Sequence, residues 1–196
     1  MGLIANDPRH LGGAIDCDGA EKAARFLQLC DAFDLPVLSL CDTPGFMVGP
    51  ESEDAAAVRR VSRMFVAGAK FGPPLFTLVL RKGYGLGAQA MAGGGFHSPM
   101  FIAGWPTGEF GGMGLEGAVK LGYRKELEAE TDPVKNKELY DRLVGQMYLR
   151  GKATSMAAAL EIDAVIDPAD SRRWVMAGLQ SCRSRRRPAR RWVDMA

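Results

Sequence analysis

Histidine is scarce in this chain: two in 196 residues, His10 and His97, far apart. Four cysteines (Cys17, Cys30, Cys41, Cys182) form no CxxC pair and have no histidines near them to complete a zinc site. A metal centre or redox dithiol is therefore not expected, and the thiols read as reduced, mostly buried small hydrophobes. No apolar run approaches the roughly 20 residues that span a bilayer. In the opening "MGLIANDPRH", Asp7 and Pro8 interrupt any signal-peptide core, and Asn6 stands where myristoylation needs Ser or Thr. A cytoplasmic protein with no membrane partner is the expectation. No GxxxxGK[ST] occurs, so the loop "LSLCDTPGF", although it resembles the magnesium-side loop of GTPases, has no lysine cradle for a triphosphate.

What is present is an ordinary globular composition, 47% hydrophobic and 24% charged, in a length that fills one core. The net charge of +2 conceals an asymmetry. Six of the 25 basic residues lie in "RSRRRPARR" (183–191); the other 19 face 23 acidic residues. We read residues 1–182 as one domain and 183–196 as a disordered Arg-rich tail. No aromatics interleave a basic surface, so nucleic acid is not an expected partner.

Apolar runs alternate with helical periods. "GLIAN", "LPVLSLCD", "PPLFTLVLRK", "PMFIAGW" and "DAVID" read as strands. Asp18 and Glu21 suggest a capping box before a helix carrying Ala23, Phe26, Cys30 and Phe33 on one face. Further helices are expected over residues 51–71, around 89–92, in "LEGAVKLGY", over 132–150, in "TSMAAALE", and from Pro168 to about Leu179. Strands alternating with helices predict an α/β fold with parallel βα units and a sheet covered on both faces.

The stretch "RKGYGLGAQAMAGGGF" (81–96) holds six glycines in sixteen residues directly after a strand. Glycine is costly in ordered structure, so the cluster needs a reason. Gly85, Gly87 and Ala90 match G-x-G-x-x-A, a dinucleotide fingerprint, but "RKGY" separates the turn from the apolar run and no ribose-binding acid follows the next strand. A glycine turn at a helix start also leaves backbone N–H groups unpaired and open to close approach, which suits an oxyanion hole. A plain packing turn is the third reading.

"GLIANDPRHLGGAIDCDGAEKAARFLQLCDAFDLPVLSLCDTPGFMVGPESE", then "RKGYGLGAQAM", "WPTGEFGGMGLEGAV" and "AAALEIDAVIDPADSRRW", resembles the C-terminal half of carboxyltransferase (beta) subunits of biotin-dependent acyl-CoA carboxylases, from about Gly2 to Leu179. The resemblance implies a crotonase-like (ClpP/crotonase) superhelix of ββα units. It implies transfer of CO₂ from carboxybiotin to the α-carbon of an acyl-CoA, with one oxyanion hole per half of the protein. In that family the biotin-side hole falls on the backbone N–H groups corresponding to Leu86 and Gly87. Asp42, Thr43, Pro44, Gly45 and Phe46, with Tyr84, Gly85 and Ala88, correspond to the surroundings of the biotin. Gln89 stands where many relatives carry an acid linked to acyl-chain choice, which puts the substrate in question. His97 reads as a loop residue and Glu109 as structural.

The implied partners are an acyl-CoA, a biotin carboxyl carrier on a separate protein or domain, and an N-terminal carboxyltransferase half on another chain, in a homo- or hetero-oligomer. Met1 stands where the second half begins, so a truncated remnant without activity is the alternative expectation, and an NAD-binding oxidoreductase the third.

Overall fold

The apolar runs become the strands of one parallel sheet. A computed structural model describes residues 1–182. In chain order its elements are β1 (Gly2–Ala5), α1 (Cys17–Ala32), β2 (Val37–Thr43), α2 (Pro50–Asp54), α3 (Ala57–Lys70), β3 (Leu75–Tyr84), α4 (Gly85–Met91), β4 (Phe101–Gly104), β5 (Glu109–Gly111), α5 (Leu115–Gly122), α6 (Arg124–Ala129), α7 (Pro133–Gly151), α8 (Ala153–Ala158), β6 (Ala164–Val165) and α9 (Ser171–Ser181). Short 3₁₀ turns occupy Leu11–Gly13 and Pro168–Asp170. The Arg-rich tail lies outside the described residues.

The strands run β1-β2-β3-β4-β6, and β5 pairs with the far end of β3. Every pairing is parallel, with Val37 beside Leu75 and Leu78 beside Ala103. One face of the sheet, through Val37, Cys41 and Val79, packs against Ala20, Ala24 and Leu27 of α1, Met64 of α3 and Ala88 of α4. The other face, through Phe76, Leu78 and Phe101, takes Trp174 and Val175 of α9. Gly178 lets α9 come down on Phe76, where a Cβ would sit 2.7 Å from the ring. Side chains as fully buried as Phe76, Leu78 and Val79 each contribute about 1.5–3 kcal/mol on removal from water.

The second face is covered only in part: Leu3 on β1 is 56% exposed, so burial on both sides fails at that edge. Other expectations also need correcting. The cap of α1 is Asp16, whose Oδ1 accepts the Gly19 N–H at 2.7 Å. Asp18 lies inside the helix, and Glu21 is held instead by Arg60 of α3 through Nε and Nη2 at 3.0 and 2.8 Å. The helix expected over 51–71 is two helices, because Ala56 turns left-handed at φ 55° between α2 and α3. Nothing on α2 is buried, so no packing holds it in line with α3. Pro168 opens a 3₁₀ turn, and the helix proper starts at Ser171. Most important for function, α4 begins at Gly85, not near Gln89: the glycine turn is the first turn of the helix.

Candidate functional site

Where β2 and β3 end, the chain makes two glycine turns that meet. After Thr43 the first turn is closed by its own side chain: Thr43 Oγ1 accepts the Gly45 N–H and donates to the Gly45 carbonyl, each at 3.1 Å. Gly45 sits at φ 122°, a region that favours glycine. The turn is fixed from outside as well, since Ile15 N–H donates to Gly45 O and Met47 N–H to Ile15 O. Phe46 is half-buried against Phe65, ring centroids 6.2 Å apart. Pro44 is half-buried too.

The second turn starts α4. Gly85 takes φ 58°, and a Cβ there would lie 2.8 Å from the Gly112 carbonyl oxygen. Gly87 is buried, and a Cβ on it would lie 2.8 Å from both Cα and C of Gly45 and 3.1 Å from Phe46 N. The two turns therefore touch backbone to backbone, and only a residue without a side chain fits at 87. Tyr84 occupies the N-cap position but offers no side-chain acceptor to the helix. The amides of the first turn of an α-helix have no intrahelical acceptor. Leu86, by contrast, is 61% exposed, so its stretch of the turn faces outward.

Tyr84 is spoken for elsewhere. Its hydroxyl donates to Glu109 Oε2 at 2.9 Å. Burial, then the bond to Glu109, pushes the phenol pKa well above the ordinary tyrosine value. Glu109 reaches Tyr84 because β5 pairs with β3 there, Lys82 beside Glu109 and Tyr84 beside Gly111. A second pair, Tyr148 with Glu116, flanks the first; the bond to Glu116, followed by burial, raises the Tyr148 phenol to about 12.

The turn residues singled out in the sequence come together, with divided roles. Gly87 meets the other turn at the junction, and Leu86 precedes it with its side chain exposed. Asp42 does not face an opening with a free carboxylate: it accepts Arg81 Nε and Nη2 at 3.3 and 3.2 Å and the Lys82 N–H at 3.1 Å, tying β2 to β3. Ala88 is fully buried in the core and Gln89 half-buried on α4. His97 lies in a loop with Nε2 3.9 Å from Glu161. Sequence reasoning missed Asn6, whose Oδ1 accepts the Asp42 N–H at 3.1 Å, and Arg81. The sequence argument that "RKGY" parts the turn from its strand is also wrong: β3 runs through Tyr84, directly into α4.

The chain is similar to several known proteins. The family model described as "Carboxyl transferase domain" matches residues 1–193. A propionyl-CoA carboxylase carboxyltransferase subunit from Haloferax mediterranei is 36% identical over 189 residues, 95% of this chain and 36% of that protein. The methylmalonyl-CoA carboxyltransferase 12S subunit of Propionibacterium freudenreichii subsp. shermanii is 34% identical over 97% of this chain and 36% of its own length. Among solved structures, a single-chain, multi-domain long-chain acyl-CoA carboxylase aligns with a TM-score of 0.79 at 59% identity over 89% of this chain and 17% of that one. The transcarboxylase 12S structure with methylmalonyl-CoA and methylmalonic acid bound aligns at TM-score 0.85, with 32% identity over 98% of this chain and 37% of that one. The chain thus spans about a third of the length of the curated relatives it matches. These likenesses bear out the crotonase-like α/β fold, and the chain belongs to the carboxyl transferase domain family.

Proposed function

We propose that this chain supplies the biotin-side part of a carboxyltransferase site, in which a carboxyl group passes between carboxybiotin and the α-carbon of an acyl-CoA. The observation that carries the reading is the uncapped first turn of α4 pressed against the Gly45–Phe46 backbone. The residues present fit a biotin ureido group: its oxygen needs N–H donors in fixed positions, and close approach needs the absence of side chains. Carboxybiotin, when bound, supplies the CO₂ and leaves negative charge on that ureido oxygen.

The chain's own part is electrostatic. The Leu86 and Gly87 N–H groups are oriented before the ligand arrives, and donors that need no reorganisation stabilise developing charge most effectively. Removing one such donor costs on the order of 10²–10³ in rate. Gly45, Gly85 and Thr43 hold the junction, Tyr84 and Glu109 brace it from β5, and Asp42 with Arg81 fixes the strand ends beneath it. Asp42, Pro44, Phe46 and Ala88 then shape the biotin surroundings mainly from behind, as supports.

The remaining parts of the reaction lie outside the matched region. The acyl-CoA side of the site comes from the portion of the relatives that this chain does not match, and biotin arrives on a carrier. Relatives are described as acetyl-/propionyl-, methylmalonyl- and long-chain acyl-CoA enzymes. Gln89, a neutral amide on α4, is the residue we assign to acyl selectivity. We infer an oligomeric assembly, as the 12S relative is described as a hexamer, acting in the cytoplasm. Among the described residues no helix is long and apolar enough to cross a membrane.

The test is carboxyl transfer by the chain combined with an N-terminal half and a biotinylated carrier, using acetyl-, propionyl- and longer acyl-CoAs. Leu86→Pro removes one N–H at an exposed first-turn position where proline is tolerated. The expected result is a kcat lower by about 10²-fold or more, with Leu86→Ala near wild type. A stable assembly that carboxylates no acyl-CoA, or a Leu86→Pro assembly at full rate, overturns the reading.

A further inference from the structure

Between the first glycine turn and α3 runs a stretch that is held only at its ends. At one end the Met47 N–H donates to the Ile15 carbonyl. At the other, Arg60 Nη2 reaches Asp18 at 2.6 Å and Glu21 at 2.8 Å. In between, among the described residues, no hydrogen bond or ion pair joins residues 48–55 to anything beyond Ala56. Packing does not hold them either: α2 has no buried residue, and Val48 is 84% exposed. A segment with few buried contacts and no outside hydrogen bonds opens at little cost.

Both sides of α2 carry left-handed backbone, Gly49 at φ 122° and Ala56 at φ 55°. Hinges are a few positions at the ends of an element that absorb a change in φ and ψ. A cleft of about 230 Å³ parts the stretch from the start of α1, with Glu51, Ser52 and Ala55 on one wall and Asp16, Cys17 and Asp18 on the other. Acids on both walls oppose closing this cleft, and Arg60, which also lines it, is already engaged with Asp18 and Glu21. α2 therefore has little to settle on in that direction. In the other direction lies the junction of the two turns. Phe46 N is 3.1 Å from where a Cβ of Gly87 would lie, and Val48, two residues on, is at most about 7.6 Å from Phe46 along the Cα trace. Val48 at 84% and Leu86 at 61% exposure are large apolar side chains next to that contact.

We propose that α2 is a lid, swinging on Gly49 and Ala56, that closes over the junction when a biotinyl group occupies it; in naming that ligand the proposal rests on the function proposed above. The carbon face of the ligand packs on Val48, and Pro50 at the head of α2 comes down on the other side of it. The ligand supplies the apolar surface that α2 lacks in the free chain, which is why closure waits for binding. A closed lid excludes water from the Leu86 and Gly87 amides, and a donor shielded from water acts more strongly on developing charge.

The test is residue-resolved amide exchange on the full chain, free and with biotin methyl ester, with the Leu86 and Gly87 amide signals followed in the same sample. In the free chain the amides of residues 51–55 are expected to exchange about tenfold or more faster than those of α3. With biotin methyl ester they are expected to slow by about fivefold or more. Val48→Ala, at a site too exposed to affect the melting temperature, is expected to weaken binding about threefold or more and to reduce the slowing. Exchange at 51–55 as slow as in α3 before ligand is added overturns the lid. So does Val48→Ala binding as tightly as the wild type. Ligand that shifts the Leu86 and Gly87 signals while exchange at 51–55 stays the same overturns the lid and leaves the proposed function standing. A chain that binds no biotin methyl ester overturns that function, and the lid with it.

Discussion

The junction of the two glycine turns and the open edge of β1 handle the same groups, backbone N–H and C=O, in opposite ways. At the junction, Gly87 meets Gly45 with no side chain between them, and Thr43, Ile15 and Tyr84 fix the surroundings. At the edge, Leu3 and Ala5 point their groups into solvent beside a groove that nothing in the described chain fills. On the function proposed above, position is fixed where charge is to be stabilised, since a misplaced donor is worth little.

The comparison breaks most sharply at Gly87. Gly87→Val puts side-chain atoms where Gly45 already sits, on a backbone that cannot step aside, and is expected to cost about 2–3 kcal/mol in urea denaturation. A loss below about 0.5 kcal/mol would mean the two turns are not in contact. Next comes Tyr84→Phe, which strips a half-buried carboxylate neighbour of its donor; a loss of about 1 kcal/mol is expected at neutral pH. The pH dependence follows in sign. The folded phenols of Tyr84 and Tyr148 lie above the unfolded value of about 10. Their contribution is complete below pH about 10 and is lost as pH rises toward the folded values, the Tyr148 share near about 12. In Tyr84→Phe the decline in stability above pH 10 should be shallower; an unchanged decline would remove Tyr84 from the account. The smallest effect is expected at the edge, where Leu3→Lys should change stability by no more than about 0.5 kcal/mol. A large loss there would show that the edge is already packed.

Much of this architecture was legible in the chain. The runs around Val37–Thr43 and Leu75–Val79 are apolar on both faces, the mark of a buried parallel strand, and the glycine cluster announced a special backbone site. What could not be read is non-local. Gly45 and Gly87 are far apart in sequence, and nothing local says that their backbones touch. The bond between Asp42 and Arg81 spans 39 residues, and neither partner differs locally from any charged surface residue. β5 has three residues and one buried apolar side chain, too little periodicity to detect, yet it delivers Glu109 to Tyr84. The cap of α1 was misread because Asp16 and Asp18 are chemically alike. Only the fold decides which of them stands outside the helix.

The central claim is that the Leu86 and Gly87 amides receive a urea oxygen, and amide chemical shifts report on such a bond directly. Titrating biotin methyl ester into the isotopically labelled chain, or into its assembly with an N-terminal half, should move the Leu86 and Gly87 N–H signals downfield, saturably and ahead of the rest of α4. If biotin binds while those two signals stay where they were, the oxygen is held elsewhere and the account of the site is contradicted.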